Sequence, residues 1–266
     1  MKLAVLEKTA TAAAMPVHRE AGPEPLVYRE RAPHPALADR VVCTWVDPAR
    51  PRPQPVLPDA CIDLVWDGTS VEVAGPDTHA VAIEGKLSYV GVRFRPGAAP
   101  AFLGIGCDEL VDGRVALSDI WGRFASDLQE ELLEQPLQAM AILERVLLDR
   151  LGTTPAVDPV VGELVDLLAR GAPLSESIEE LAVSDRTLRR RCAVAIGYGP
   201  KTLERILRFR RALRLLRSHQ PLAETARLAG YVDQAHLTNE SQRLAGLTPA
   251  ALAARRTLSI STNGCN

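Results

Sequence analysis

At 266 residues, 47% apolar and with a formal charge of -2, the chain can bury one large core or two modest ones, and it is too hydrophobic for a disordered protein. No stretch reaches the roughly 18 uninterrupted apolar residues of a membrane helix. Glu7 and Lys8 stand where a secretory signal would need an apolar run, and five cysteines without a Cys-x-x-Cys pair fit reduced thiols better than a disulfide framework. The expected location is the cytoplasm, with no membrane association.

In chain order, residues 1–36 are rich in Ala, Pro and charge and read as irregular, with a strand near "PLVYRE". From 40 to 97, "RVVCTWV", "ACIDLVW", "SVEVAG", "HAVAIE" and "LSYVGVRF" are short β-branched or aromatic runs separated by Pro, Gly and Asp, the pattern of a small sandwich or half barrel. After "RPGAAPAFLG" the period becomes helical: "LSDIWGRFASDLQEELLEQ" and "PLQAMAILERVLLDRLG" carry apolar residues three and four apart. "TTPAVDP" reads as a linker. Helices are then expected at 158–170, 173–182, 184–196, 200–218, 221–229, 233–245 and 248–256, punctuated by "GYGP" and "AGLTPAAL". The fold class is α+β with two domains. An irregular segment (1–36) precedes a β-rich domain with C-terminal helices (37–152), a linker (153–159), an all-helical domain (160–257) and a tail (258–266).

Charge is uneven along the chain when it is cut near Gly171. Residues 1–170 hold 16 Lys+Arg against 25 Asp+Glu, a balance of -9, whereas residues 171–266 hold 15 against 8, a balance of +7. A basic segment on an acidic protein suggests a polyanionic partner; a strip of solvated arginines is the competing reading.

The helical half contains a repeat. "PLSESIEELAVSDRTLRRR" (173–191) and "PLAETARLAGYVDQAHLTNE" (221–240) each begin Pro-Leu-x-Glu, run two helical turns, pass a small residue (Ala182 or Gly230) and start a second helix at a polar residue. This is the form of a helix-turn-helix, whose second helix lies in the DNA major groove. Two copies joined by "PKTLERILRFRRALRLLR" would present recognition helices roughly 34 Å apart on one face of the duplex.

"GYVDQAHLTNESQRLAGLTPAAL" resembles the C-terminal signature of the AraC/XylS transcription regulators, and "VSDRTLRRR" with "GYGPKTLERILRFRRALRLL" resembles that family's first helix-turn-helix and connecting helix. The likeness spans about 165–256. Less closely, "VLPDACIDLVW", "YVGVRFRPGAAPAFLG" and "ELVDGRVALSDIWG" resemble the poorly characterised N-terminal domain of a subset of these regulators, itself similar to part of a cupin-like sensor barrel. The resemblance implies a double helix-turn-helix domain behind a sensor or dimerisation domain, with Leu188 inward and Arg190 outward. It also marks departures. Family members commonly carry Phe where this chain has Cys192 and Ser241, and the first unit has Ala182 where the second has its turn glycine, which leaves the first unit's register open.

The candidate DNA-binding residues are Ser184, Asp185, Arg186, Thr187, Arg189 and Arg190 in the first unit, and Gln234, His236, Thr238, Asn239 and Arg243 in the second. Ser184 is a good N-cap, arginine can bond guanine bidentately, and glutamine can bond adenine. Asp233 suits a helix cap better than a phosphate neighbour, and His236 reads equally as a packed, hydrogen-bonded residue. Asp59, Asp63, Trp66, Arg93 and Arg95 are candidates for an effector pocket, against the reading that they serve strand and turn structure.

No catalytic residue, cofactor or metal site is expected. Asp233 and His236 lack a third ligand nearby, no spacing unites Cys43, Cys61, His79 and Cys107, and no phosphate loop or nucleophile elbow is present. The expected partners are double-stranded promoter or operator DNA, a small-molecule effector, a second copy of the chain and, for an activator, RNA polymerase. The rival readings are an enzyme carrying this DNA-binding unit as a tail, as repair alkyltransferases do, and a degenerate module that no longer binds DNA alone.

Overall fold

The computed structural model describes residues 28–49, 54–83 and 88–254. The expectations for residues 1–27, for the tail 258–266 and for Cys265 lie outside these. Six strands form one antiparallel sheet in the order β1 (Arg29–Arg31), β2 (Val41–Asp47), β7 (Tyr89–Phe94), β4 (Ile62–Trp66), β5 (Val71–Ala74) and β8 (Arg114–Ala116), while β3 (Gln54–Val56) pairs with β6 (Val81–Ile83) in a second, two-stranded sheet. The five runs expected from 40 to 97 all contribute a strand. β3 and β8 were not anticipated, because three residues are too few to show a period and Pro55 reads as a breaker.

Alternation along the strands decides what each face of the large sheet carries. Ile62, Leu64, Trp66, Val71, Val73, Val92 and Phe94 point to one side, where they pack on four helices: α1 (Ala99–Leu103), α2 (Leu117–Trp121), α3 (Arg123–Glu134) and α4 (Ala139–Leu151). The intervening residues, including Trp45, Asp63, Val65, Glu72, Tyr89 and Arg93, line a cavity on the opposite side. A shift of register between Val41 and Cys43 interrupts this alternation: Val41 packs in the helix-side core, whereas Val42 and Cys43 both join Trp45 and Val65 on the other side. The single helix expected across 117–135 is interrupted at Gly122, which ends α2 and precedes α3.

The C-terminal half is all helix: α5 (Pro159–Arg170), α6 (Leu174–Leu181), α7 (Asp185–Ile196), α8 (Pro200–Arg217), α9 (Leu222–Ala229), α10 (Gln234–Ala245) and α11 (Pro249–Ala254). Asp158 caps α5 by accepting from the Val160 and Val161 amides, and Pro159 takes the first helical position, where no amide is needed. The core of this half contains Leu164, Leu188, Cys192, Leu203, Ile206 and Leu213, and it also takes in Leu57 and Ala60 from the strand-rich half. The two halves are thus interlocked.

Candidate nucleic-acid interface

Helices α6 and α9 have eight residues each, follow Pro173 and Pro221, and end at Ala182 and Gly230, both left-handed with φ of 52° and 81°. This settles the register of the first unit: it is built like the second, with a turn one residue shorter. Ser184 caps α7 by accepting from the Thr187 amide, and Asp233 caps α10 by accepting from the His236 amide at 2.7 Å. Position by position, Asp185 matches Gln234, Leu188 matches Leu237, Arg190 matches Asn239 and Cys192 matches Ser241. Leu188, Leu237, Cys192 and Ser241 are all fully buried, so each recognition helix turns the same face inward. Ser241 Oγ has no hydrogen-bond partner among the described residues.

The opposite face is free. Arg186, Arg190, Gln234, Asn239 and Arg243 are exposed, and among the described residues their side chains carry no hydrogen bond or ion pair. Asp185 folds back onto Arg189 at 2.8 Å, an exposed i,i+4 pair worth about 0.3–0.5 kcal/mol and readily exchanged for a phosphate. Thr238 Oγ1 donates to the Gln234 carbonyl, one turn back. His236 is packed and hydrogen-bonded: its ring meets Tyr231 edge-on at 5.1 Å, and Nδ1 accepts from the Val232 amide, so the neutral ring bears its proton on Nε2. Arg243 lies apart from the opening turns of α10. It lines a groove with Thr78 and His79 of the strand-rich half and with Thr202 and Arg205 of α8.

Helix α8 braces both units. Its Arg211 donates to the Leu168 carbonyl at the end of α5 and to the Ala229 carbonyl at the end of α9, at 2.9 and 3.0 Å. Arg205 grips Glu240 of α10 through two bonds. Neither link was read from the sequence, since arginines in a basic helix look alike until packing separates them.

On the strand-rich side, a cavity of about 160 Å³ lies between the free face of the large sheet and the β3–β6 pair. Three of the five effector candidates line it: Asp59, Asp63 and Arg93. Arg93 is buried and donates to both Asp63 oxygens at 2.8–2.9 Å, while its Nη1 lies 3.3 Å from Asp59 Oδ2. Burial opposes the guanidinium charge, but the two carboxylates outweigh it and hold the pKa above the usual arginine value. The other two candidates are corrected. Trp66 falls on the helix-packed face, because it is three residues from Asp63 and β alternation sends it the other way. Arg95 lies past the end of β7 and donates Nε to the Ala38 carbonyl at the sheet edge. Counting by twos from Asp63 would have excluded Trp66.

The sequence also gave no sign of the contact between the halves. Residues Leu57, Asp59 and Cys61 line the cavity, while Leu57 and Ala60, between and beside them, are buried in the core of the helical half. Arg210 of α8 donates to the Asp59 carbonyl at 2.9 Å. Each recognition helix is also held at its far end: the Cys107 thiol donates to the Ala195 carbonyl of α7, and the Ala80 amide to the Leu244 carbonyl of α10. Burial drives the Cys107 thiol pKa well up, so it is an inert structural contact.

Cys43 and Cys61 share a small apolar cluster, His79 faces Asp112, and Cys107 meets α7. The four residues weighed as a metal cluster are therefore not brought together. Among the described residues, no helix is long and apolar enough to cross a membrane.

Residues 178–255 match the model of a helix-turn-helix domain, and residues 29–116 match that of a domain of unknown function (DUF6597). No curated protein matches significantly. Among solved structures, ToxT from Vibrio cholerae O395 is similar at 9% identity, with 79% of this chain and 95% of that chain covered and a TM-score of 0.41. Unsaturated fatty acid bound wild-type ToxT from Vibrio cholerae strain SCE256 is similar at 10% identity, covering 81% and 94%, again at 0.41. The chain thus carries a helix-turn-helix domain over residues 178–255 behind a domain of unknown function over residues 29–116, and the double unit in register supports a DNA-binding transcription regulator.

Proposed function

We propose that the chain regulates transcription by reading an operator with both recognition helices, and that its strand-rich domain senses a small molecule. The observation that carries the reading is the pair of capped, register-matched helices from which Arg186, Arg190, Gln234 and Asn239 point outward unbonded. The two surfaces differ chemically. α7 offers Arg186, Arg189 and Arg190, suited to guanine edges and phosphates, whereas α10 offers the amides Gln234 and Asn239, suited to adenine. His236 Nε2 and the hydroxyls of Ser184, Thr187 and Thr238 supply further bonds to bases or phosphates. Arg243 contributes at most a phosphate contact from the far end of α10, and Asp185 acts by positioning Arg189.

Effector response is supported by the cavity and its shared segment with the helical half. A homodimer is supported by Leu133 and Leu137, on and just after α3, which are 51% and 101% exposed and give a second copy an apolar seat. An activator would in addition engage RNA polymerase, and this work belongs in the cytoplasm. Genome-wide footprinting with the purified chain tests the reading. It should yield one recurrent sequence with two contacted segments about one helical turn apart; uniform, unpatterned protection contradicts it.

A further inference from the structure

Six acidic side chains (Asp47, Asp59, Asp63, Asp67, Glu72 and Asp77) line the cavity against two basic ones, Arg93 and Arg114. Both bases have acidic neighbours: Arg93 is held by Asp63 and Asp59, and Arg114 faces Asp77. An anionic ligand would have to displace the Asp63 carboxylate from a bidentate, buried pair, and removing one partner of such a pair is costly. The acids are less well matched. The Glu72 carboxylate has neither a hydrogen bond nor an ion pair among the described residues. Asp77 has its pKa raised to about 6, first by burial and then, against the pull of Arg114, by the neighbouring carboxylates Asp59, Asp112 and Asp63. The walls between these acids are apolar and aromatic, with Trp45, Tyr28 and Tyr89 among them. Such rings attract a cation through their faces.

We propose that this cavity binds a small organic cation, an amine or quaternary ammonium with a short apolar body, and that the bound cation alters DNA affinity through residues 57–61. The volume of about 160 Å³ has room for on the order of ten waters, or for one small organic molecule. The cation supplies the charge that Glu72 and Asp77 lack, and the rings enclose its apolar part. Transmission follows from the shared segment. Asp59 faces the cavity with its side chain and Arg210 with its carbonyl, and the neighbouring Leu57 and Ala60 are packed among the helices. Ala60 sits at φ 65°, a conformation an L residue adopts only under restraint, so the segment cannot shift on one side without disturbing the other. This second half of the inference rests on the DNA-binding reading above; the first half does not.

Calorimetric titration of the full chain with phenethylamine, benzyltrimethylammonium and putrescine tests the site, with 2-phenylethanol and phenylacetate as the neutral and anionic counterparts. At least one cation should bind 1:1 and at least tenfold more tightly than either counterpart. Its affinity should fall tenfold or more in Glu72→Gln, and should fall again as pH drops through about 6 and Asp77 takes up a proton. Failure of all three cations, equal binding of the alcohol or carboxylate, or an unaffected Glu72→Gln overturns the proposal. DNA affinity measured on the same preparation should change severalfold with the cation present. Arg210→Lys, or Ala60→Gly should the first variant not fold, should keep cation binding and lose that change. Cation binding with no effect on DNA affinity overturns the coupling alone. Loss of all DNA binding instead overturns the regulator reading and leaves the cation site standing.

Discussion

Ala182 and Gly230 occupy the same place in the two units and show what one methyl group costs there. A left-handed L residue is disfavoured by about 1–2 kcal/mol, while a glycine loses roughly 0.4–1 kcal/mol more on ordering from the unfolded chain. Ala182 is exposed, so its methyl brings little packing in return. Ala182→Gly should therefore raise unfolding stability by about 0.5–1 kcal/mol in a denaturant titration. Gly230→Ala should lower it by about 1 kcal/mol, because its new methyl would meet only Arg211 and Arg208 atoms at ordinary contact distances of 3.8–3.9 Å. A second residue-scale prediction concerns Asp77. Its pKa is raised to about 6 in the folded chain, so the native state binds more protons than the unfolded one between the ordinary aspartate value and about 6. Stability from this group is present at the acid end of that window and lost as pH rises through it. Thermal midpoints should thus rise in Asp77→Asn at pH 7.5 and converge with wild type near pH 4; a variant less stable at pH 7.5 contradicts the burial argument.

At the scale of elements, the helices of the C-terminal half were legible almost to the residue, because Pro200, Gly197, Gly246 and Pro249 mark ends that local chemistry enforces. The first unit's register was not, since a turn one residue shorter with no glycine removes the usual marker, and only the backbone at Ala182 restores it. In the sheet, β alternation was enough to set Trp66 on the opposite face from Asp63, whereas the cross-strand pairing of Asp63 with Arg93 and the existence of β3 and β8 were not legible. Contacts between distant elements were invisible for a different reason: nothing in "PDACID" distinguishes a solvated turn from one buried against helices. Gly197 is the sharpest case. It ends α7 at φ 101°, and a methyl there would lie 2.7 Å from Pro76 Cγ and 2.9 Å from the Cys107 carbonyl oxygen. Gly197→Ala should separate α7 from the strand-rich half while leaving the helices formed. Thiol labelling mapped to Cys107 should accelerate at least tenfold at unchanged helical circular dichroism; unchanged protection of Cys107 would show that the contact tolerates the methyl.

For the whole molecule, the charge balances of -9 over residues 1–170 and +7 over residues 171–266, with the interlocked cores, describe one device with two ends. On the proposed reading, the basic end supplies counterion release and positioning, the side chains of α7 and α10 supply choice of sequence, and the acidic cavity supplies a handle coupled through residues 57–61. DNA-binding regulation could be read from the repeat and its charge before any coordinates, whereas the coupling required knowing which buried neighbours Leu57, Asp59 and Arg210 have. The central claim is tested most directly by fluorescence anisotropy on the footprinted operator and on a scrambled duplex, between about 50 and 200 mM salt. Wild type should prefer the operator and weaken steeply with salt. Gln234→Ala should lose about 1–3 kcal/mol on the operator with little change on the scrambled duplex, and Arg190→Ala should weaken both. Equal, salt-independent binding of all three proteins to both duplexes would contradict the account.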